Sequence, residues 1–211
     1  MKSDPPEPAR RLLIGILRGF DQRVIEQLVP VCLRGGLREL EITMNSPQAC
    51  ELSRLANNLA GDAVRIGAGT VLPERDLDAA LAAGAQFIVT PVVNEAIIRR
   101  CVAARVPVFP GAYSPTEIVR AWDLGATMVK VFPADQLGPG YIRNVKAPLP
   151  HIRLLPTGGV SLETLPAFIS AGADGFGVGS PLFDPQRIAA GDWSWLEERC
   201  RAFVRAAAGS E

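Results

Sequence analysis

The sequence predicts an α/β fold, specifically a (β/α)8 TIM barrel. Eight short apolar runs begin roughly 20-odd residues apart, enough for a strand, a turn, a crossover helix and a second turn. Eight such units match a closed barrel. A doubly wound nucleotide-binding sheet is less consistent, because ILRGFD in the first strand-to-helix turn is not G-x-G-x-x-G. We expect a tail over 1–11 and one barrel domain over 12–208. The predicted strands are LLIGIL (12–17), ELEIT (39–43), VRIGAGT (64–70), QFIVTP (86–91), VPVFPGA (106–112), MVKVFP (128–133), IRLLPTGG (152–159) and GFGVGS (175–180).

The segments between these runs have the signals that begin and end helices. Asp21 is predicted to cap the first helix, and Ser46-Pro47, Pro73-Glu74 and Ser114-Pro115 are predicted to open later ones. Glycines occur where a helix would end in a left-handed residue, at positions 35, 61, 84, 125 and 172.

Composition excludes several classes of protein. The 211 residues are 48% hydrophobic and 21% charged, with a formal net charge of zero, as is ordinary for a globular protein. The chain has no acidic or basic tail, so its charge gives no indication that nucleic acid or anionic lipid is a partner. No apolar run approaches a membrane span, and the N-terminal residues lack the apolar stretch of a signal peptide. We therefore expect a cytoplasmic protein.

Cysteine and histidine content narrows the chemistry. Cys32, Cys50, Cys101 and Cys200 are widely spaced in segments of helical pattern, which indicates free thiols in a reducing compartment. The chain has a single histidine, His151, which argues against histidine-based catalytic triads and multi-histidine metal sites. Sites built from carboxylates alone are still possible.

Lysine is scarce, and one lysine lies on a predicted strand. The chain has only Lys2, Lys130 and Lys146. Lys130 shares one face of an apolar strand with Met128 and Phe132. Loss of solvation on that face favours the neutral, nucleophilic form of the amine. The alternative is a strand-end lysine whose long stem reaches solvent. Lys2 and Lys146 have polar or proline-flanked surroundings, so we expect both to be ordinary solvent-exposed lysines.

Two further charged residues end strands at the same predicted mouth. Glu41 alternates with Leu40 and Ile42, which places it in the barrel interior as a general acid and base or as one partner of a buried ion pair. Arg18 at the exit of the first strand can balance that charge, hold a substrate carboxylate, or lie on the surface.

Glycine-rich loops follow the seventh and eighth strands. Gly158-Gly159, and Gly179 with Ser180, lie where barrels commonly bind phosphate through backbone N–H groups, although each glycine can equally serve a turn. Thr70, Pro91 and Thr157 end the third, fourth and seventh strands and would line the same mouth or cap adjacent helices.

These features together resemble a known family. Glu41, GAGTV, VTP, PGAYSPTE, KVFPA, PTGG and GVGS occur in this order between Leu12 and Phe183. The sequence thereby resembles the 2-keto-3-deoxy-6-phosphogluconate (KDPG) and 2-keto-3-deoxy-6-phosphogalactonate (KDPGal) aldolases, with their 4-hydroxy-2-oxoglutarate aldolase relatives.

The resemblance implies a class I aldolase that needs no metal or cofactor and belongs to carbohydrate metabolism of the Entner–Doudoroff type. By the resemblance, Lys130 forms a Schiff base with the keto carbon, and Glu41 transfers protons. The products are pyruvate and glyceraldehyde 3-phosphate, and homotrimers are usual. The implied binding residues are Arg18 and Thr70 at the pyruvate carboxylate, Pro91, Phe132 and Thr157 around the reacting carbons, and Gly158, Gly159, Gly179 and Ser180 at the phosphate.

Two positions give opposite indications about the substrate epimer. Many phosphogluconate members carry arginine four residues after the catalytic glutamate, and Asn45 here is similar to phosphogalactonate members. Thr157 is similar to the phosphogluconate type. The predicted substrate is KDPG, with KDPGal as the alternative. Outside this family, the alternatives are a phosphosugar isomerase or epimerase and a non-catalytic ligand-binding barrel.

Overall fold

Eight parallel strands alternate with helices along the chain, as the apolar runs predict. The structure is a computed structural model and describes residues 11–209. The expected tail over 1–11 therefore lies outside the described residues except for Arg11, and so does Lys2. The strands are β1 (Leu12–Leu17), β2 (Glu39–Thr43), β3 (Arg65–Gly69), β4 (Ile88–Thr90), β5 (Val108–Ala112), β6 (Val129–Val131), β7 (Leu154–Pro156) and β8 (Gly175–Val178).

Helices follow every strand and cover the outside of the sheet. They are α1 (Gln22–Arg34), α2 (Ala49–Ala60), α3 (Glu74–Ala82), α4 (Glu95–Ala103), α5 (Pro115–Asp123), α6 (Ala134–Lys146), α7 (Leu165–Ser170), α8 (Pro185–Ala189) and α9 (Trp193–Ala208). A short 3-10 turn at Gly61–Ala63 follows α2, and Gly138 kinks α6.

The sheet closes on itself. The strands pair in the order β7-β6-β5-β4-β3-β2-β1-β8. A parallel bridge between Thr157 and Gly177, together with a 2.9 Å hydrogen bond from Asp174 N to Leu154 O, joins the two ends. The predicted (β/α)8 barrel is thus confirmed, and the carboxyl ends of all eight strands meet at one mouth.

The barrel interior has charged groups on either side of an apolar layer. In the middle lie Ile14, Phe87, Val89, Phe109, Met128 and Leu155, and the rings of Phe87 and Phe109 meet edge-on with centroids 5.8 Å apart. Near the amino ends of the strands, Glu39 pairs with Arg65 at 3.0 Å. Towards the carboxyl ends lie Glu41 and Lys130, both buried. The apolar layer therefore separates the mouth from the opposite end of the barrel.

Two local predictions are wrong. Ser46 does not open α2, because its hydroxyl is buried between loops, where it accepts from Gly19 N at 2.9 Å. The residue before the helix is Gln48, with φ 55°. Gly35 has φ −72°, and the left-handed residue after α1 is Gly36, with φ 87°. Gly35 is needed for packing, since a Cβ there would lie 2.3 Å from Cys200 Cβ.

The other predicted helix signals are confirmed. The side chains of Asp21 and Ser114 accept from backbone N–H groups as N-caps of α1 and α5, and Pro73 precedes α3. The glycines at 61, 84, 125 and 172 have positive φ.

The cysteines lie on helices, as predicted. Cys32 on α1, Cys101 on α4 and Cys200 on α9 are buried free thiols, and Cys50 on α2 is a partly exposed one. The sulfur atoms of Cys32 on α1 and Cys200 on α9 are 3.9 Å apart. An ion pair between Arg34 and Glu197 joins the same two helices, so α9 packs against α1. Within residues 11–209 no helix combines the length and apolar character that crossing a membrane would need.

Candidate active site

A cavity of about 240 Å³ opens at the mouth of the barrel, between β1, β6, β7 and β8. Eight of the residues expected at the site line it: Arg18, Lys130, Phe132, Thr157, Gly158, Gly159, Gly179 and Ser180. The strand ends thus bring together the residues that the sequence separates by more than a hundred positions.

Lys130 lies at the base of this cavity with 6% of its surface exposed. Its Nζ is 4.8 Å from the centre of the Phe132 ring, and its strand neighbours in register are Gly111 and Leu155. Burial lowers the pKa of the Lys130 ammonium, and the Arg18 charge lowers it further, while Glu41 opposes both effects. The strand therefore presents an amine whose neutral, nucleophilic form is favoured.

Glu41 lies behind the cavity wall and is 2% exposed. Burial raises the pKa of its carboxyl group, an effect that the charges of Lys130 and Arg18 counteract. Space for the side chain comes from Gly69 on the adjacent strand, because a Cβ at that position would lie 1.6 Å from Glu41 Oε1. A buried carboxyl group whose pKa is raised above its ordinary value suits proton transfer.

Arg18 leaves the end of β1 and reaches across the mouth. Its Nη1 donates to Asn45 Oδ1 at 3.0 Å and its Nη2 donates to Thr70 Oγ1 at 3.3 Å. Thr70 has φ 57°, a left-handed conformation that β-branched residues rarely adopt. The strained backbone of Thr70 thereby directs its hydroxyl to the guanidinium.

The loops after β7 and β8 form the polar side of the cavity. Gly158 and Gly159 have φ of 94° and 69°. A Cβ at Gly159 would also lie 2.7 Å from Asp135 Cβ, so this turn requires glycine. The backbone N–H groups of Gly158, Gly159 and Ser180 donate to no acceptor within the described part of the chain. They are free to bind an anion at the cavity edge.

Thr157 has the one buried side-chain N or O atom without a hydrogen-bond partner among residues 11–209. Its Oγ1 lies against Gly177, where a Cβ would come within 2.3 Å. A buried hydroxyl that lacks a partner costs about 1–3 kcal/mol, and Thr157 is one of the residues that line the cavity. A ligand hydroxyl in the cavity can satisfy it.

Pro91 lies beside the cavity rather than in its wall. Its carbonyl oxygen would be 2.3 Å from a Cβ at Gly111, the residue paired with Lys130. Ile16, Val160, Gly177 and Pro181 also line the cavity and are additions to the predicted set. Strand alternation could have found Ile16, which lies two residues before Arg18.

No group of three His, Cys, Asp or Glu side chains in the described ranges is arranged to hold a metal ion. Among the described residues, the charged side chains that line the cavity are those of Lys130 and Arg18, and Glu41 lies behind its wall.

The model of the family described as "Aldolase: KDPG and KHG aldolase" matches residues 10–199. The chain belongs to the KDPG and KHG aldolase family. It is therefore a class I aldolase, an aldehyde-lyase that acts through a Schiff base.

Relatives within the KDPG and KHG aldolase family differ in substrate. The chain is 40% identical over 172 residues to the 2-dehydro-3-deoxy-6-phosphogalactonate aldolase of Escherichia coli, covering 81% of this chain and 84% of that one. It is 37% identical over 174 residues to the 2-dehydro-3-deoxy-phosphogluconate aldolase of Treponema pallidum, covering 81% and 82%.

A solved KDPG aldolase shows the covalent chemistry in this family. The enzyme from Legionella pneumophila, with pyruvate captured at low pH as a covalent carbinolamine intermediate, matches with a TM-score of 0.85 and 26% identity, over 92% of this chain and 94% of that one.

Proposed function

We propose that this aldolase cleaves KDPG into pyruvate and glyceraldehyde 3-phosphate, with Lys130 as the Schiff-base residue and Glu41 as the proton carrier. The choice of KDPG is supported by Thr157, a residue that lines the cavity, is similar to the phosphogluconate type and has a hydroxyl without a hydrogen-bond partner in the described residues. KDPG and KDPGal differ at C4, the carbon that bears the hydroxyl deprotonated in cleavage. A hydroxyl that awaits a partner beside Lys130 suits recognition at that carbon.

The proposed reaction begins with the neutral Lys130 amine. It attacks the C2 keto carbon to form a carbinolamine, and protonated Glu41 donates a proton to the departing hydroxyl, which leaves as water. The product is a protonated imine, and Glu41 is left as a carboxylate.

Carbon–carbon cleavage follows from the electron demand of that imine. The Glu41 carboxylate takes the proton of the C4 hydroxyl, the C3–C4 bond breaks, and its electron pair moves to the imine to give an enamine. The C4–C6 fragment leaves as an aldehyde. Glu41 returns the proton to C3. Water then attacks the resulting protonated imine and gives a proton to the Glu41 carboxylate, and collapse of the carbinolamine releases pyruvate and regenerates the Lys130 amine and protonated Glu41.

The remaining residues are proposed to hold the two ends of the substrate. Arg18 and Thr70 bind the carboxylate, Pro91 and Phe132 flank the reacting carbons, and the N–H groups of Gly158, Gly159, Gly179 and Ser180 bind the phosphate. No metal is needed in this scheme, because the imine nitrogen accepts the electron pair.

The Schiff-base assignment is tested by incubation with pyruvate, borohydride reduction and peptide mapping. We expect the adduct on Lys130 and none on Lys146. Lys146 makes a 2.7 Å ion pair with Asp174 and lies outside the cavity wall, so it serves as an internal control. An unmodified Lys130 would refute the assignment.

The substrate assignment is tested by comparing kcat/KM on KDPG and KDPGal. We expect KDPG to be preferred, by less than about a thousandfold or roughly 4 kcal/mol, because Asn45 and Thr157 give opposite indications. Thr157→Val should lower kcat/KM on KDPG by about tenfold and reduce the preference. A wild-type preference for KDPGal would show that the alternative substrate is correct.

The KDPGal alternative has its own support, because Asn45 matches the phosphogalactonate pattern and the Escherichia coli relative acts on that epimer. The same comparison of kcat/KM decides between them.

We also propose a cytoplasmic homotrimer. Strands β3, β4 and β5 are each followed by an exposed apolar side chain: Leu72, Val92 and Tyr113, respectively. An apolar arc of this kind at a barrel rim suits contact with a second copy of the chain.

A further inference from the structure

The turn after β2 holds the arginine at the end of β1 from three directions. The turn comprises Thr43 to Ser46, closed by a 2.9 Å hydrogen bond from Ser46 N to Thr43 O. Asn45 within it is exposed, whereas Thr43 and Ser46 are buried. Thr43, Asn45 and Ser46 each contact Arg18 or one of its immediate chain neighbours.

Two of these contacts fix the backbone on either side of Arg18. Gly19 N donates to Ser46 Oγ at 2.9 Å, and Thr43 Oγ1 donates to Leu17 O at 3.5 Å. The two hydroxyls are 2.9 Å apart and hydrogen-bonded to each other. The peptide units that flank Arg18 are therefore tied to a buried pair of side chains, which limits the freedom of the exposed residue between them.

The third contact fixes the side chain. Asn45 Oδ1 accepts from Arg18 Nη1 at 3.0 Å, a shorter bond than the 3.3 Å bond from Nη2 to Thr70. Both acceptors are neutral. Within residues 11–209, Arg18 has no carboxylate partner in an ion pair, so its positive charge is oriented without being neutralised.

We propose that Asn45 is a positioning residue, which aims the Arg18 guanidinium at the carboxylate of a 2-keto acid bound to Lys130. A guanidinium retains N–H groups after making two hydrogen bonds, and these can bind a carboxylate in a bidentate manner. A neutral acceptor at position 45 orients Arg18, whereas an aspartate would neutralise it. The inference rests on the proposed function, since it assumes that Lys130 forms the imine.

The test compares a ketone that has a carboxylate with one that has none. Wild type, Asn45→Ala and Asn45→Asp are trapped with borohydride in the presence of pyruvate or of acetone, and the adduct on Lys130 is measured by mass spectrometry over a range of ketone concentrations. Asn58→Ala is the matched control, because Asn58 is exposed on α2 away from the mouth.

For Asn45→Ala we expect the half-saturating pyruvate concentration to rise about tenfold, with unchanged labelling at saturation and unchanged labelling by acetone. Asn45→Asp should weaken pyruvate binding more, since its carboxylate pairs with Arg18 and repels the ligand. Asn58→Ala should match wild type with both ketones. In turnover, Asn45→Ala should raise KM more than it lowers kcat.

Two results would overturn the role of Asn45 while leaving the Schiff base intact: equal losses with pyruvate and acetone, which would mean a general disturbance of the mouth, or no loss with either ketone. Absence of any Lys130 adduct in the wild type would instead refute the proposed function, and this inference with it.

Discussion

Gly69 determines whether Glu41 can occupy its position in the barrel interior. Its missing side chain leaves the volume that the Glu41 carboxyl group fills, since a Cβ would lie 2.1 Å from Glu41 Cδ. Strand alternation alone predicts that the Glu41 side chain points into the barrel interior. The need for glycine opposite it does not, because that depends on the register between β2 and β3.

We predict that Gly69→Ala lowers kcat by at least about a hundredfold, because the added methyl group forces the Glu41 carboxyl from its place and displacement of a catalytic group by ~1 Å costs about that factor. Steady-state kinetics measures the effect. Gly140→Ala on α6 is the control, since a Cβ there would meet nothing within 4 Å. Wild-type kcat in Gly69→Ala would contradict the role given to this close approach.

The charges of Glu41 and Arg18 near Lys130 predict how the amine titrates. Burial lowers the pKa of Lys130, so acetylation of this amine by acetic anhydride should reach half its limiting rate at a pH below the ordinary lysine pKa. A carboxylate favours the ammonium form, so Glu41→Gln should lower the midpoint further. A guanidinium disfavours that form, so Arg18→Met should raise it.

Mass spectrometry of each lysine peptide against pH measures these midpoints. The scarcity of lysine simplifies the experiment, because Lys2 and Lys146 are the only other side-chain amines and report on the reagent within the same sample. A raised midpoint in Glu41→Gln, or a lowered midpoint in Arg18→Met, would show that the charges around Lys130 are arranged differently.

At the scale of single elements, helix starts depend on capping groups that differ in exposure and partners. Ser114 and Glu117 form a capping box at α5, in which Ser114 Oγ accepts from Glu117 N at 3.3 Å and the Glu117 carboxylate accepts from Ser114 N at 2.7 Å. The carboxylate accepts from Ser114 N, Tyr113 N and Ser114 Oγ, and these three hydrogen bonds lower the pKa of Glu117.

Ser114→Ala should reduce the free energy of unfolding by about 1 kcal/mol at neutral pH, measured by urea denaturation. Because the pKa of Glu117 is lowered in the folded protein, the Glu117 carboxylate adds to the free energy of unfolding at pH values above its ordinary pKa. This stabilisation is lost as the pH falls through the lowered pKa. The difference between Ser114→Ala and wild type should therefore shrink in acid. Thr116→Ala, at an exposed neighbouring position, should stay near wild type at both pH values.

The strands and most helix starts were predictable because their signals are local. Alternation along β2 and β6 placed Glu41 and Lys130 inside the barrel, and Asp21 and Ser114 cap the helices that follow them. Ser46 has the same local signal as Ser114 but contacts Gly19 from a different loop. That partner lies 27 positions earlier in the sequence, so only the folded barrel reveals it.

The same distinction between local and tertiary signals applies to the candidate site. The predicted residues gather at the mouth because strand ends must meet there, whereas the strained Thr70 backbone and the unpartnered Thr157 hydroxyl arise from tertiary packing. Residue identities thus predicted which groups would meet but could not predict their hydrogen-bond partners.

At the scale of the whole molecule, the rim of the barrel offers an apolar surface for contact in the proposed trimer. Val92 is 50% exposed and Leu72 is 44% exposed. Their loops are joined by a 3.0 Å hydrogen bond from Asn94 Nδ2 to Leu72 O. The two side chains therefore form part of one surface.

Sedimentation equilibrium should give a mass about three times the 22.5 kDa of the chain. Val92→Asp should shift the protein towards monomer, because a buried carboxylate at a contact surface is unfavourable. Val102→Asp makes the same change at a side chain of similar exposure, 44%, on α4 outside the rim, and should leave the mass unchanged. A monomeric wild type would refute the trimer.

The apolar layer across the barrel interior also determines how protons reach the reaction. Phe87, Phe109, Met128 and Leu155 offer no hydrogen-bonding chain between the ion pair of Glu39 and Arg65 and the pair of Glu41 and Lys130. Any proton that Glu41 exchanges with solvent must then enter through the mouth, the passage that the substrate also uses. A bound phosphorylated substrate would thereby isolate Glu41 from bulk water, and the hydrogen removed from the C4 hydroxyl would remain within the site until the aldehyde departs.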